Sequence, residues 1–304
     1  MTTLRICHFI SDEGVKFWHQ ECRKVFRTWE ETMEIMENTW ERPLVVVTGA
    51  SSGIGYELAK QFAVNGFDLI IAAQSDSILE AQEALSEFEV NVYSVQANLA
   101  SGKGVEKLIK RIQKLGRPVE AIAVNAGVGV GGPFLETDLK EEINMINLNV
   151  ISSVHLLKRV LGFMVERGQG RVLITSSIAA VMPAPFEAVY GATKAFLLSF
   201  AEAIRNEVRD SGITVTTLMP GATNTNFFHR AGMDDTRVGS KTKFENDPVD
   251  VAREGFEALM AGREKVVSAS VMTKLQGWAS KILPESTKAQ FHRKLSEPGS
   301  AQHH

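Results

Sequence analysis

Thr48-Gly49-Ala50-Ser51-Ser52-Gly53-Ile54-Gly55 is the stretch that decides the fold. The residues just before it, Leu44-Val45-Val46-Val47, form a short β-branched apolar run, and Leu58, Ala59, Phe62 and Ala63 follow it at helical spacing. A strand that turns through glycines into a helix aims unpaired N–H groups and the positive end of the helix dipole at one point, and the glycines let an anion approach the backbone closely. That context reads the loop as a cradle for the pyrophosphate of a dinucleotide, with Gly49, Ser51, Ser52, Gly53, Ile54 and Gly55 as its contacts.

Working outward, β-rich runs at 44–48, 68–73, 91–95, 119–124, 171–175 and 213–219 alternate with longer segments of helical period. Such alternation predicts parallel strands joined by crossover helices, with both sheet faces covered, which is why the strands are apolar throughout. A helix opening at Asp247 and Pro248 leads to a seventh strand at 265–268. The expected fold class is α/β: a doubly wound, mostly seven-stranded parallel sheet over residues 43–270, followed by a C-terminal helical tail over 271–304. Residues 1–42 stand outside the alternation. Trp18, Cys22, Val25, Trp29, Met33, Met36 and Trp40 recur at steps of three and four, the mark of an amphipathic helical extension.

The chain has 304 residues, 44% of them hydrophobic, and a formal charge of -3, with basic residues scattered rather than massed. No continuous positive surface for nucleic acid is expected. Cys7 and Cys22 provide no disulfide framework, which points to a reducing compartment and the cytoplasm. The apolar runs fall short of the roughly 18 residues a membrane span requires, so no transmembrane segment is expected. The histidines show no paired metal-ligand spacing, so no metal site is expected.

Two further clusters sit at predicted strand ends. Asn125-Ala126-Gly127, with four glycines in the next few residues counting Gly127 itself, would line the same edge as the cradle. Ser177 ends the fifth strand, and Tyr190 and Lys194 lie one turn apart on a helix. A phenol ordinarily titrating near 10 becomes useful as a proton donor and acceptor at neutral pH when an ammonium stabilises its phenolate, and Lys194 can supply that charge. Ser177 can hydrogen-bond the substrate oxygen.

With these residues in hand, the chain resembles the short-chain dehydrogenase/reductase family, in the branch with a TGxxxGxG cradle and a YxxxK site, over about residues 43–270. The resemblance implies an NAD(P)-dependent enzyme interconverting alcohol and carbonyl, with Ser177, Tyr190, Lys194 and Asn149 catalytic and Asn147 the rival to Asn149. It also implies cofactor contacts at Leu99, Asn125, Ala126, Gly127, Pro220, Gly221 and Thr225, and a homodimer or homotetramer formed through two long helices. Asn98 stands where the family commonly has an aspartate for the adenine amino group; as a cofactor contact its amide oxygen accepts that bond more weakly than a carboxylate.

At the second strand's end Ala73 carries no acid to repel a 2′-phosphate, and Gln74, Ser75 and Ser52 can donate to one, while Asp76 opposes it. A modest preference for NADP(H) over NAD(H) follows. Met182, Pro183, Ala184, Pro185 and Phe186, with Phe227 and Phe228, suggest a pocket for a small apolar carbonyl or alcohol substrate. The alternative of another class is a non-catalytic nucleotide-sensing or scaffold protein of the same fold, against which the intact Ser177, Tyr190 and Lys194 argue. Hydrolysis lacks a histidine partner for Ser51 or Ser52, and an extended-branch epimerase would need a larger C-terminal domain.

Overall fold

The computed structural model describes residues 42–240, 246–268 and 284–302. The expected Trp-rich helix of residues 1–42 lies outside them, apart from Arg42. The sheet has seven parallel strands in the order β3-β2-β1-β4-β5-β6-β7, namely β1 Leu44–Thr48, β2 Asp68–Ala73, β3 Val92–Gln96, β4 Val119–Val124, β5 Gly170–Thr175, β6 Ile213–Pro220 and β7 Lys265–Ser268. The strand boundaries differ from the sequence expectation by one residue at β3, β5 and β6.

Successive β1 side chains enter opposite cores. Leu44 and Val46 pack with helices α3 (Gly102–Leu115), α5 (Ser152–Arg167) and α6 (Ala188–Glu207). Val45 and Val47 pack with α1 (Gly53–Val64), α2 (Ile78–Ser86) and α8 (Pro248–Met260). Both faces are therefore dry, and every β1 and β2 residue is buried. This double burial explains why the strands show no polar alternation. Asp247 caps α8 by accepting from Val249 N at 2.8 Å, with Pro248 at the first helical position.

Helix α4 (Leu139–Ile146) joins α5 through a π-helical segment, Asn147–Ile151. The run Leu139–Arg167 is long and apolar enough to cross a membrane by length and composition alone, one 18-residue window within it reaching a mean hydropathy of 1.3. The short-run criterion applied to the sequence passes over it, because polar residues punctuate the run. Its Leu156, Leu157, Val160 and Met164 are buried against the sheet, while Ile143, Ile151 and Phe163 are exposed.

The chain order reverses at β1, which pairs with β2 on one side and β4 on the other. The carboxyl ends of β1 and β4 diverge there, and such a switch point is where open α/β sheets bind ligands. Helix α9 (Glu285–Ser296) belongs to the same compact unit as the sheet, residues 43–304.

Candidate functional site

Three side chains stitch the switch point. Thr48 Oγ1 accepts from the backbone N–H groups of Asn125 and Ala126 at 3.0 and 3.1 Å. Asn125 Nδ2 returns a bond to the Thr48 carbonyl at 3.3 Å, and Thr175 Oγ1 donates to Asn125 Oδ1 at 3.1 Å. The Asn125 side chain thus holds β1, β4 and β5 at one level. Gly55 is packed so closely that an added Cβ would lie 2.2 Å from the Gly49 carbonyl oxygen and 2.5 Å from Asn125 Nδ2. No side chain bonds the first turn of α1 from its Ser52 cap, and no acid stands in that turn. The N–H groups and dipole there face the cleft unneutralised, as a pyrophosphate requires.

The cleft has a volume of about 1210 Å³. It collects the cradle residues Gly49, Ser51, Ser52, Gly53, Ile54 and Gly55, with Ala73 and Gln74 at the adenosine side. Leu99, Asn125, Ala126 and Gly127 line it further along, and Ser177, Tyr190 and Lys194, then Pro220, Gly221 and Thr225, complete it. Two sequence candidates stand apart. Asn98 is exposed, and its Oδ1 accepts from Ala100 N at 2.9 Å, closing a local turn instead of facing the cleft. Asn149 is fully buried behind the cleft.

Asn149 lies in the π-helical segment, a local widening that often marks functional sites. Its Nδ2 bonds the Val128 carbonyl and Thr193 Oγ1, both at 3.0 Å. Thr193 in turn donates to the Tyr190 carbonyl at 2.7 Å. Asn149, and not Asn147, is therefore linked to the tyrosine's helix. Where a Cβ on Gly127 would stand, Asn149 Oδ1 is 3.1 Å and Lys194 Nζ 3.4 Å away, so both polar ends converge behind that glycine.

Tyr190 packs on Phe227 with the rings tilted at 52° and their centroids 5.2 Å apart, and Lys194 Nζ lies 5.7 Å from the tyrosine ring centre. Burial of Lys194 lowers its ammonium from the ordinary 10.5 to about 8. Burial first, and then the Glu187 carboxylate, push the Tyr190 phenol up, while the adjacent Ser177 hydroxyl pulls it down. The Lys194 Nζ donates to the Thr175 carbonyl at 3.0 Å, which fixes the ammonium beside the tyrosine. Of the apolar residues foreseen for the pocket, Met182, Phe227 and Phe228 line the cleft. Pro183, Ala184, Pro185 and Phe186 do not, and Ala184 is buried against Gly191.

Sequence reasoning missed Glu187, Thr193, His292 and Ser296. Glu187 stands one turn before Tyr190, a spacing that puts both on one helical face and could have flagged it. His292 and Ser296 come from α9, about a hundred residues further along the chain, and no local pattern announces them.

The geometry is that of a nucleotide-binding α/β protein with a tyrosine-centred proton site. A family model described as short chain dehydrogenase matches residues 43–235. Sulfoacetaldehyde reductase 2 of Chromohalobacter salexigens is 30% identical over 246 residues, covering 78% of this chain and 96% of that protein. Dehydrogenase/reductase SDR family member 7B of Danio rerio is 29% identical, over 79% of this chain and 82% of its own length. Among solved structures, a short-chain dehydrogenase from Sphingobium yanoikuyae in complex with NADPH superposes with a TM-score of 0.70 at 26% identity, covering 79% of this chain and 93% of that one. The chain belongs to the short-chain dehydrogenase/reductase family, the NAD(P)-dependent oxidoreductases acting on CH–OH and C=O groups.

Proposed function

We propose that this protein interconverts an alcohol and a carbonyl on an apolar substrate, using a nicotinamide dinucleotide held between the glycine cradle and Lys194. One observation carries the reading: Ser177, Tyr190 and Lys194 line the same cleft as an uncapped helix N-terminus whose glycines leave room for a pyrophosphate. When bound, the nicotinamide supplies or takes the hydride. Ser177 Oγ donates to the substrate oxygen and fixes it beside Tyr190. The phenol, kept protonated by burial, delivers its proton from Oη during carbonyl reduction. In the reverse direction the Lys194 ammonium favours the phenolate that must accept that proton. Pro220, Gly221 and Thr225 close the nicotinamide end.

NADP(H) is the preferred cofactor in this reading. Ala73 leaves no carboxylate at the strand end, while Gln74, Ser75 and Ser52 line the cleft and can donate to a phosphate. Asp76 also lines the cleft and accepts from Gln96 Nε2, which turns that carboxylate oxygen towards β3, and its charge keeps the preference modest. Exposed Leu139, Ile143, Phe163 and Phe196 on α4, α5 and α6, with Ile151 on the π-helical segment between α4 and α5, support a homodimer or homotetramer joined through those helices. The cytoplasm is proposed as the compartment, from the absence of a disulfide framework.

The test is a ketone and alcohol panel followed by nicotinamide absorbance with both cofactors, together with their dissociation constants. Turnover with tighter NADP(H) binding is expected. Nucleotide binding without turnover of any substrate would favour the sensing or scaffold alternative.

A further inference from the structure

Glu187 is a buried carboxyl in the cleft to which the proton step assigns no role. It opens α6 directly after Phe186, whose backbone takes φ 65°, a left-handed conformation that costs a non-glycine residue energy and persists only where its surroundings enforce it. Gly132 N donates to the Phe186 carbonyl at 2.8 Å, and the Arg293 guanidinium lies 5.1 Å from the Phe186 ring centre. These contacts hold Glu187 facing α9. There Ser296 Oγ donates to Glu187 Oε2 at 3.0 Å, and His292 Nε2 lies 3.4 Å from the same oxygen. All three residues are buried, and all three line the cleft with Tyr190. The contacts of the Glu187 carboxyl with Ser296 and His292 both fall on Oε2, leaving Oε1 open to the cleft, and His292 Nδ1 is buried with no hydrogen-bond partner among the described residues.

We propose that Glu187, with His292 and Ser296, forms a second polar pole of the substrate pocket, which binds a hydroxyl on the substrate remote from the reacting carbonyl. The inference rests on the oxidoreductase reading and names the substrate class: a carbonyl compound with an apolar body and a remote hydroxyl. Burial raises the Glu187 carboxyl to about 7 and lowers the His292 imidazole, which also feels the Pro185 carbonyl, so the pair approaches net neutrality. A neutral group that both donates and accepts suits such a pole. A hydrocarbon there would strip water from Glu187 Oε1 and return nothing, and sites built to bond a hydroxyl strongly reject the analogue lacking it. Glu187 is the N-cap residue of α6, three positions before Tyr190, and both side chains line the one cleft.

The test compares two ketones: a cyclohexanone with a hydroxyl across the ring from the carbonyl, and its partner with methyl in that place. Their binding to the cofactor-loaded protein is measured calorimetrically, alongside KM and kcat. The hydroxyl partner is expected to bind about tenfold or more tightly, with the difference in KM rather than kcat, as one hydrogen bond to a charged or shared-proton group implies. Glu187→Met should erase that preference and Glu187→Gln should keep part of it. Where Glu187→Met fails to fold, Ser296→Ala should reduce the preference about threefold by releasing Oε2. Equal affinities, no binding of either ketone, or a preference unchanged in these variants would overturn the proposal. Failure of the wild-type protein to bind either nicotinamide cofactor would instead overturn the oxidoreductase reading.

Discussion

Lys194 Nζ donates to the backbone carbonyl of Thr175 at 3.0 Å, so the ammonium of the YxxxK helix is anchored to the carboxyl end of β5 and buried with it. Burial lowers this ammonium from the ordinary 10.5 to about 8. Between those values the unfolded chain holds a proton that the folded one has released. The folded state therefore gains stability as pH rises from about 8 to about 10.5, and bears the full cost of the buried charge below about 8. Lys194→Met, similar in length and uncharged, is expected to be more stable than wild type near neutral pH, with the gap narrowing as pH rises towards 10.5. Urea midpoints of the cofactor-free proteins across that range check this, and a gap independent of pH would refute it.

Tyr190→Phe keeps the ring contact with Phe227 and leaves the cradle untouched. Turnover should fall by about 10²–10⁴-fold, the usual worth of a positioned proton donor, while cofactor affinity stays within about threefold. Steady-state kinetics and a cofactor titration check both halves. Activity near wild type would remove Tyr190 from the proton step.

Gly55→Ala puts a methyl group 2.2 Å from the Gly49 carbonyl oxygen, which is backbone and cannot swing aside. The turn must open, so stability is expected to drop by roughly 1–3 kcal/mol. Cofactor affinity should fall by at least about tenfold as the N–H groups lose their alignment. Denaturant midpoints and cofactor dissociation constants measure the two effects.

Glu187 reverses the pH logic of Lys194. Its carboxyl is raised from 4.5 to about 7 by burial. The folded state binds the extra proton between those values, so the group's contribution is intact below 4.5 and is lost as pH rises through 7. Glu187→Gln does not titrate, and the lowered imidazole of His292 is present in both proteins. The melting temperature of the variant relative to wild type should therefore climb by several degrees from about pH 5 to about pH 8. A constant difference would show that Glu187 is ionised in the folded state across this range.

The doubly wound sheet was legible because its evidence is local. Leu44 to Val47 are apolar at every position, as only a strand buried on both faces requires, and the glycine loop that follows states where the phosphate-binding turn lies. Tyr190 and Lys194 were legible for a similar reason, since a spacing of four on one helix makes two side chains neighbours whatever surrounds them.

What the sequence alone determined is thus the set of groups held within one strand, one turn or one helix: the cradle, the Tyr190 and Lys194 pair, and the strand-end Ser177. Only the tertiary structure decided how those groups are charged and what closes the pocket. Burial depends on chain segments distant in sequence, and burial sets the raised phenol of Tyr190 and the lowered ammonium of Lys194. Asp76 was taken by Gln96 across 20 residues, and Glu187 met His292 and Ser296 across 105 and 109. None of these pairings has a local periodicity to betray it, because the two partners of each long-range contact are brought together by the packing of whole helices on the sheet and not by spacing along the chain.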